Sequence, residues 1–269
     1  MQEPALPGAS GLYLDLGAGL DREALREELG PLRELSRAYK AEYAAAYGLL
    51  NAAATLLPEN APGLISPLLR ERTERRAAAL ARRELGRGAR LPSSGKTAEQ
   101  PRKRFLSAVS CLGRVRFDGT LTAGGERLIL VENGLGLGRV FADAFARTAR
   151  ELGWGVLAYL DPLEPEKTEA LTVPGAGLSL LCTDGCDGAV EAPERCVRLD
   201  GRVLREQGPE ARRDLLRREE ESGRLLRQAV AALARAKALH DRLEAVYRPH
   251  VDFRWTEALA EEHIAALFG

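Results

Sequence analysis

The sequence predicts an α/β fold rich in helix, in which a parallel sheet is flanked by helices and followed by long helical tails. Three observations lead to this prediction. Short apolar runs of strand length alternate with helical patterns between residues 104 and 200, as in βαβ units. A glycine-rich loop joins one of these runs to a helix. Elsewhere Ala, Leu, Arg and Glu are abundant, and these residues favour helices.

The composition of the chain limits the classes of function. Its 269 residues include 39 Lys and Arg and 39 Asp and Glu, so net charge gives no reason to expect nucleic acid or a membrane as a partner. No apolar run approaches the roughly 18 residues of a membrane span, and the N-terminus lacks a signal pattern, so we expect a cytoplasmic protein. The four cysteines do not resemble a disulfide framework or a zinc site, and we expect them to be small buried hydrophobic residues.

Helical patterns fill the first third of the chain. Asp21 is the predicted N-cap of a helix over 22–29, which Gly30-Pro31 interrupts. A second helix is predicted over 32–57, where apolar and tyrosine residues recur every three or four positions: Leu32, Leu35, Tyr39, Tyr43, Tyr47 and Leu50. We interpret this stripe as a face packed on another helix, in preference to a stacking surface for bases. The Arg-rich segment 68–86 predicts a third helix with a salt-bridged, solvated face.

A polar segment rich in Pro, Gly and Ser, residues 87–103, is the clearest boundary in the sequence. The predicted organisation is a helical segment at 1–90, a linker at 91–103, an α/β unit at 104–200 and a C-terminal helical tail at 201–269. The linker contains Ser94-Gly95-Lys96-Thr97, which resembles the end of a phosphate-binding loop. No strand precedes it and no apolar helix follows, so we assign it no function.

The α/β unit and the tail are predicted from further apolar patterns. Two short strands joined by a turn are expected within 105–117. The other predicted strands are 128–131, 154–160, 178–182 and 196–200. The predicted helices are 139–151, one or two long helices over 209–247, and a last helix that begins at an N-cap at Thr256 and runs to about residue 268.

The loop Asn133-Gly134-Leu135-Gly136-Leu137-Gly138 is the centre of the predicted α/β unit. Strand, glycine-rich loop and helix follow one another as in a phosphate-binding P-loop, where backbone N–H groups and a helix N-terminus face an anion. The motif Gly-x-x-x-x-Gly-Lys-Ser/Thr is altered, because Asn133, Arg139 and Val140 stand where it has its first Gly, its Lys and its Ser/Thr. The predicted nucleotide-binding residues are Asn133, Gly134, Gly136, Gly138, Arg139, Val140 and Asp184.

The altered positions weaken the predicted chemistry. Arg139 carries its charge on a planar fork that does not fit a cradle made for a Lys ammonium group. Val140 cannot ligate Mg²⁺, so we do not expect this ion. Asp184 follows an apolar strand in the place of a Walker-B-type carboxylate, although a strand-ending turn explains it equally well. We expect weak or absent binding of ATP and little or no hydrolysis, and we predict no catalytic and no metal-binding residue.

Two segments of the chain are similar, since the residues at 12–29 parallel those at 197–216 and a long helix follows each. With this repeat, the chain resembles an uncharacterised bacterial family of tandem P-loop ATP-binding proteins, which are predicted ATPases. The segments that carry the resemblance are RFLSA at 104–108, DPLEPEK at 161–167, VPGAGL at 173–178, ALHDRLE at 238–244 and VDF at 251–253. The resemblance implies a P-loop NTPase-like fold. It also implies that this chain corresponds to the second half of a family member together with the helical tail of the first half.

Two alternatives to a degenerate nucleotide-binding protein remain open. The chain is a non-catalytic scaffold or interaction protein if its long helices, about 31–57 and 209–247, pair with each other or with a partner, including a second copy. It is a part of a two-half ATPase if a first P-loop unit precedes it in the natural protein.

Overall fold

The structure is a computed structural model that describes residues 15–86, 101–123, 127–184 and 193–268. The chain is 63% helical and contains a six-stranded, mostly parallel sheet, which confirms the α/β class. It divides into two compact units. We call Met1–Ala44 with Arg235–Gly269 the terminal unit and Ala45–Ala234 the central unit.

The helices and strands of the described residues are bounded as follows. The helices are α1 (Arg22–Glu27), α2 (Leu29–Thr55), α3 (Pro67–Leu85), α4 (Leu137–Glu151), α5 (Asp200–Glu206), α6 (Pro209–Tyr247) and α7 (Phe253–Phe268). The strands are β1 (Arg102–Phe105), β2 (Ser107–Ser110), β3 (Gly113–Arg116), β4 (Arg127–Glu132), β5 (Leu157–Leu160), β6 (Thr168–Val173), β7 (Leu178–Thr183) and β8 (Arg195–Val197).

The main sheet has the strand order β1-β5-β6-β7-β4-β8, and β2 and β3 form the predicted hairpin. β4 lies between β7 and β8 and is parallel to both, with Leu130 opposite Leu181 and Cys196. The sheet is mixed rather than parallel throughout, because β6 runs antiparallel to β5 and β7. The sequence did not predict β6, since Glu169 and Thr172 give it a polar character although both side chains are buried.

β4 is buried on both faces, as its continuous apolar sequence requires. Ile129 and Val131 face the larger core cluster, which α3 and α4 cover with side chains such as Phe141. Leu128 and Leu130 belong to a smaller cluster on the opposite face. The alternation of side chains along one strand therefore places the end of β4 in the middle of the central unit.

Helix boundaries in the central unit follow local capping. Ser66 accepts a hydrogen bond from the Leu69 N–H at 3.2 Å and Pro67 occupies the first turn, so α3 starts one residue before its predicted start. α6 is a single helix of 39 residues. Within this unit it pairs with the end of α2, where the Ser222 hydroxyl donates to the Ala53 carbonyl oxygen at 3.0 Å. Fully buried alanines permit this close approach: Ala46, Ala53, Ala229 and Ala232.

In the terminal unit the Asp21 N-cap is confirmed, since its carboxylate accepts from the N–H groups of Glu23 and Ala24. Tyr39 packs edge-on against His240 of α6, with ring centroids 5.5 Å apart, which confirms the helix-packing interpretation at this position. Tyr47 of the same stripe is 59% exposed.

The predicted N-cap at Thr256 is also wrong. α7 begins three residues earlier, and the Asp252 carboxylate accepts from the Trp255 N–H at 3.0 Å. Aspartate at this position satisfies the free N–H groups of the first turn as well as threonine would, so the sequence offered two competing caps.

Two predicted segments fall outside the described residues, Ser94–Thr97 and most of the linker. β1 begins at Arg102, within the predicted linker. The four-part domain organisation stays a prediction. In the part of the chain that the structure describes, no helix combines the length and apolar character needed to cross a membrane.

Candidate functional site

The strand–loop–helix predicted around residues 133–138 is present. β4 ends at Glu132, and the Gly136 N–H donates to the Asn133 carbonyl oxygen at 2.9 Å to close a turn. Gly136 has a φ of 82°, a left-handed conformation that favours glycine, and it is the N-cap of α4. α4 begins at Leu137, so Arg139 lies inside the first turn rather than at the predicted start of the helix.

Asn133 caps this helix, which gives a structural reason for the residue that replaces the first glycine of the motif. Its side-chain oxygen accepts the Arg139 N–H at 2.9 Å. In a P-loop an N–H in the first helical turn is available to a phosphate. In this chain the Arg139 N–H donates to the Asn133 side chain instead.

The glycines of the loop are packed against protein atoms. A Cβ atom at Gly136 would lie 2.2 Å from Cβ of Glu59, and one at Gly138 would lie 2.7 Å from Cβ of Asn133. A Cβ atom at Gly134 would lie 2.9 Å from Oδ2 of Asp200. Because these glycines lack side chains, neighbouring segments of the same chain pack closely against the loop. The sequence predicted that a phosphate would approach the loop there.

Arg139 is buried in a cluster of carboxylates. Its guanidinium contacts Glu59 at 2.5 Å and Glu164 at 3.0 Å through Nη1, and Asp161 at 2.6 Å through Nη2. The side chain is only 9% exposed. Burial opposes the charged guanidinium, but Asp161, Glu59 and Glu164 outweigh it and raise the pKa of Arg139. All three carboxylates thus stabilise the guanidinium charge that the sequence predicted to pair with a phosphate.

Further charges surround this group, which we call the Arg139 cluster. Lys167 contacts Glu164 at 2.6 Å, and Arg114 contacts Asp161 at 3.2 Å and Glu169 at 3.1 Å. The cluster has three cations, Arg114, Arg139 and Lys167, and four carboxylates, Glu59, Asp161, Glu164 and Glu169. Formal charge is therefore negative by one unit, which disfavours a further anion beside Arg139.

A second carboxylate group lies on the other side of the loop. The N–H groups of Leu199 and Asp200 both donate to Oε2 of Glu132 at 2.8 Å, so Glu132 binds the start of α5. Asp200 is the first residue of this helix, and the prediction that it ends a strand is wrong. A carboxylate at the end of β4 supplies the cap that a helix N-terminus in this position needs.

The Asp200 carboxylate faces the glycine loop and is 8% exposed. Burial raises its pKa from 3.8 to about 6, and the charge of Glu132 acts in the same direction. Backbone hydrogen bonds from Leu135 and Gly134 lower the pKa and limit this increase. Loop N–H groups that would face a phosphate in a P-loop are thus directed at a carboxylate of the same chain.

The remaining predicted residues lie at the same end of the sheet. Asp184 directly follows β7, the parallel neighbour of β4, and its negative charge contributes to the raised pKa of Asp200. Val140 is half-buried in α4. All seven predicted residues are therefore adjacent to the loop, and their role in binding nucleotide stays a prediction.

Sequence reasoning missed the partners of the loop. Asp161 and Glu164 belong to a segment that carries the family resemblance, and its acidic residues were the available signal. Glu59 lies 80 positions before Arg139 and gave no signal, because only the fold brings the two together.

The terminal unit contains a group with the composition of a metal site. Ligand atoms of His240, Asp241 and Glu244 lie within 4.8 Å of one another on one turn of α6. His240 contacts Glu244 at 3.1 Å, and Asp241 contacts Lys237 at 2.6 Å. These are exposed pairs at helical spacing, which are common on solvated helices.

The cysteines differ from one another. Cys182 is free and buried, and burial raises the pKa of its thiol. Cys111 is free and partly exposed. Cys196 is disulfide-bonded, so the prediction of a small buried hydrophobic residue is wrong there.

Comparison of the chain with models of protein families, with curated proteins and with solved structures finds no match.

Proposed function

We propose that this chain is a P-loop-type protein whose nucleotide site is closed by its own side chains, and that it acts as a non-catalytic interaction or scaffold protein. The observation that carries this proposal is that groups of the same chain contact the loop on both of its sides. The Asp200 carboxylate lies against Gly134 on one side, and Arg139 is paired with three carboxylates on the other.

Descent from a P-loop protein is supported by the order and position of the elements. A buried strand (β4), a loop with Gly134, Gly136 and Gly138, and a helix follow one another, and β4 lies between two parallel neighbours in a mostly parallel sheet. Asp184 follows the strand next to β4, as a Walker-B-type carboxylate would. These features also support the relationship to tandem P-loop ATP-binding proteins.

Loss of turnover is supported by the chemistry of the two replaced side chains. Phosphoryl transfer depends on Mg²⁺ and on a cation directed at the β- and γ-phosphates. Val140 provides no metal ligand, and the Arg139 fork is already bound to Glu59, Asp161 and Glu164. ATP entering the loop would have to displace Asp200 and face an excess of negative charge, so we expect binding to be weak or absent.

An interaction role is supported by the long helices. α2 and α6 pair with each other within each unit, through Tyr39 and His240 in one and through Ala53 and Ser222 in the other. Leu216, near the start of α6, is 65% exposed. Helical surfaces of this length are suited to a helical partner or a second copy of the chain.

The proposal is tested by thermal-shift titration with ATP and ADP, each with and without Mg²⁺. A ligand that binds the folded state raises the melting temperature with its concentration, so we expect no saturable shift at millimolar nucleotide. The Asp200→Ala variant serves as the comparison, because it removes the carboxylate from the loop N–H groups.

Saturable stabilisation of the natural protein by MgATP, or Mg²⁺-dependent hydrolysis, would contradict the closed site. Sedimentation over a range of protein concentrations tests the interaction role. A concentration-dependent oligomer supports it. A monomer at every concentration would exclude a second copy of the chain as the partner and leave a different protein in that role.

A further inference from the structure

The strand β1 lies at an edge of the main sheet, and within the described residues its only neighbouring strand is β5. All four residues of β1 are exposed. Inside the same sheet, β6 and β7 are buried at every position. In the part of the chain that the structure describes, β1 is therefore open to solvent along its whole length.

Half of the backbone groups of β1 point away from the sheet. The Arg102 N–H donates to the Val156 carbonyl oxygen at 3.2 Å. Alternate residues of an edge strand bond to its one neighbour, so Arg102 and Arg104 face β5. The N–H and C=O groups of Lys103 and Phe105 therefore face outward, and the Arg104 guanidinium donates to the Lys103 carbonyl oxygen at 2.8 Å. Outward groups of this kind are a template for an additional strand.

The side chains of β1 carry three adjacent cations, Arg102, Lys103 and Arg104. None of them contacts a carboxylate among the described residues, and the neighbouring strand β5 has the uncharged sequence Leu-Ala-Tyr-Leu. The hairpin that follows β1 differs, because Arg114 and Arg116 are both paired with carboxylates. The unpaired positive charge of residues 101–123 is thus confined to β1.

Two exposed aromatic side chains lie at the end of this row of cations. Phe105 is 60% exposed and Phe117 is 65% exposed. The Phe117 N–H donates to the Leu106 carbonyl oxygen at 3.0 Å, which places the backbone of Phe117 beside the end of β1. The surface therefore combines a row of cations with an apolar end, and a partner can reach both.

The charges on β1 decide which kind of strand can be added. A second copy of β1 would bring cations opposite cations, and like charges directly opposite destabilise a strand pair. Acidic side chains on an added strand would instead lie opposite the cations, with an apolar side chain opposite Phe105. A nucleic acid would contact the same cations and rings, but it has no row of peptide donors and acceptors for Lys103 and Phe105.

We propose that β1 binds an acidic, extended peptide segment of a partner protein, which adds a strand to the edge of the main sheet. The backbone of the peptide bonds to Lys103 and Phe105, and its carboxylates pair with the cations of β1. An apolar side chain of the peptide packs on Phe105 and Phe117. This surface uses neither the glycine loop nor the long helices, so it stands or fails separately from the proposed function.

The test is an NMR titration of the full chain with the peptide Thr-Val-Glu-Glu-Glu-Val-Thr, whose symmetric sequence fits either direction of pairing. We expect shift changes centred on residues 102–105 and on Phe117. Amide hydrogen exchange is measured on the same samples. The N–H groups of Lys103 and Phe105 are expected to exchange fast in the free protein and slowly in the complex, because the added strand bonds to them. Those of Arg102 and Arg104 are expected to change little, since they bond to β5 in both states.

Altered probes separate charge from strand pairing. Glutamine in place of the glutamates tests charge, and we expect this peptide to bind at least about tenfold more weakly. N-methylation of the glutamates keeps their charge but removes N–H groups from both edges of the peptide. We expect this peptide to lose the protection of Lys103 and Phe105. A single-stranded oligonucleotide of matched charge tests the nucleic-acid alternative.

The chain variant is Arg102→Gln/Lys103→Gln, with Arg72→Gln/Arg82→Gln as the matched control. Arg72 and Arg82 are exposed on α3, and among the described residues their side chains contact no carboxylate. Each double variant thus removes two exposed cations from the central unit. We expect the β1 variant to weaken peptide binding about tenfold and the control to leave the affinity unchanged.

Four results would overturn the proposal. One is the absence of shift changes at residues 102–105 at about 1 mM peptide. Another is equal loss of affinity in the two double variants, which would indicate general attraction to exposed cations. Unchanged protection by the N-methylated peptide would exclude strand addition. Tighter binding of the oligonucleotide at the same residues would assign the surface to nucleic acid instead.

Discussion

The central unit contains two groups of arginines in opposite states. Arg139 lies in a closed cluster where carboxylates outnumber cations, and its side chain is 9% exposed. Arg83 of α3 is 53% exposed and shares the carboxylate of Glu84 with Arg127 and Arg195. The arginine of the motif is therefore enclosed by its partners, and the arginine outside any motif remains accessible to solvent.

This difference separates the presence of a motif from the availability of its groups. A glycine loop at the start of a helix predicts an anion site only if its N–H groups and cation lack internal partners. At the loop, Asp200 and Glu59 supply those partners. The partners that a group already has are thus a better guide to whether it can bind a ligand than the motif that contains it.

The largest expected effect on stability is in the Arg139 cluster. Arg139→Ala removes the cation shared by three buried carboxylates, for which Arg114 and Lys167 compensate only in part. We expect a loss of about 3–5 kcal/mol in the free energy of unfolding. The measurement is urea unfolding followed by the fluorescence of Trp154 in a Trp255→Phe background. Trp154 belongs to the central unit, so the signal reports on this unit alone.

Arg147→Ala is the matched control on the same helix. Arg147 is 59% exposed and contacts Glu74 at 3.8 Å, so its loss is expected to cost about 0–1 kcal/mol. If the two variants cost the same, the Arg139 cluster does not stabilise the fold and the contrast between the two arginine groups disappears.

A glycine of the loop gives the next largest effect. Gly136→Ala combines a left-handed backbone with a Cβ atom that would meet Cβ of Glu59, and we expect a cost of about 3 kcal/mol. Gly63→Ala separates the two causes, because Gly63 has a φ of 74° and open space around its Cβ position. We expect about 1 kcal/mol for this control in the same unfolding assay. Equal costs would show that Glu59 moves aside freely.

Asp200 makes stability depend on pH. Its pKa is raised from 3.8 to about 6, so the folded state binds more protons than the unfolded state between these values. Stability from this group is therefore fully present below the unfolded value and is lost as pH rises through about 6. We expect a decrease of about 2–3 kcal/mol from about pH 4 to about pH 7.

Asp200→Asn is expected to flatten this part of the pH profile, measured by urea unfolding at each pH. Asp214→Asn, at a residue paired with Arg217 on α6, is expected to retain it. A decrease that persists in Asp200→Asn would assign the pH dependence to other groups and remove the evidence for a buried carboxylate at the loop.

The smallest effect on stability is expected among the exposed arginines. Arg83→Gln removes one of the three arginines that share Glu84 and leaves Arg127 and Arg195 in contact with it, so we expect a cost of about 0–1 kcal/mol in the same urea unfolding assay. A cost as large as that of Arg139→Ala would show that exposure does not separate the two groups of arginines.

Most of the fold could be predicted where local chemistry decides it. Helical periodicity located α2 and α3, and Asp21 marked the start of α1. β6 was missed because its buried Glu169 is polar, and its burial depends on distant partners. The Glu169 carboxylate accepts from the Ser107 hydroxyl at 2.9 Å, a contact between residues 62 positions apart.

The same division applies to the candidate site. Glycine spacing and the preceding apolar strand located the loop, and the order of the strands placed Asp184 beside it. The occupants of the loop could not be predicted, because Glu59 and Asp200 come from segments on either side of it in the sequence. Contacts over such separations are set by the fold and leave no local pattern.

The carboxylate at the loop is also a tethered competitor. Because Asp200 is part of the chain, it faces the N–H groups of Gly134 and Leu135 at an effective concentration of about millimolar or higher. An external anion competes with this internal ligand for the same donors, and each opening of the loop is followed by rapid return of the tethered group. The concentration of the external anion and its affinity for the loop together decide whether the loop exchanges its own carboxylate for another.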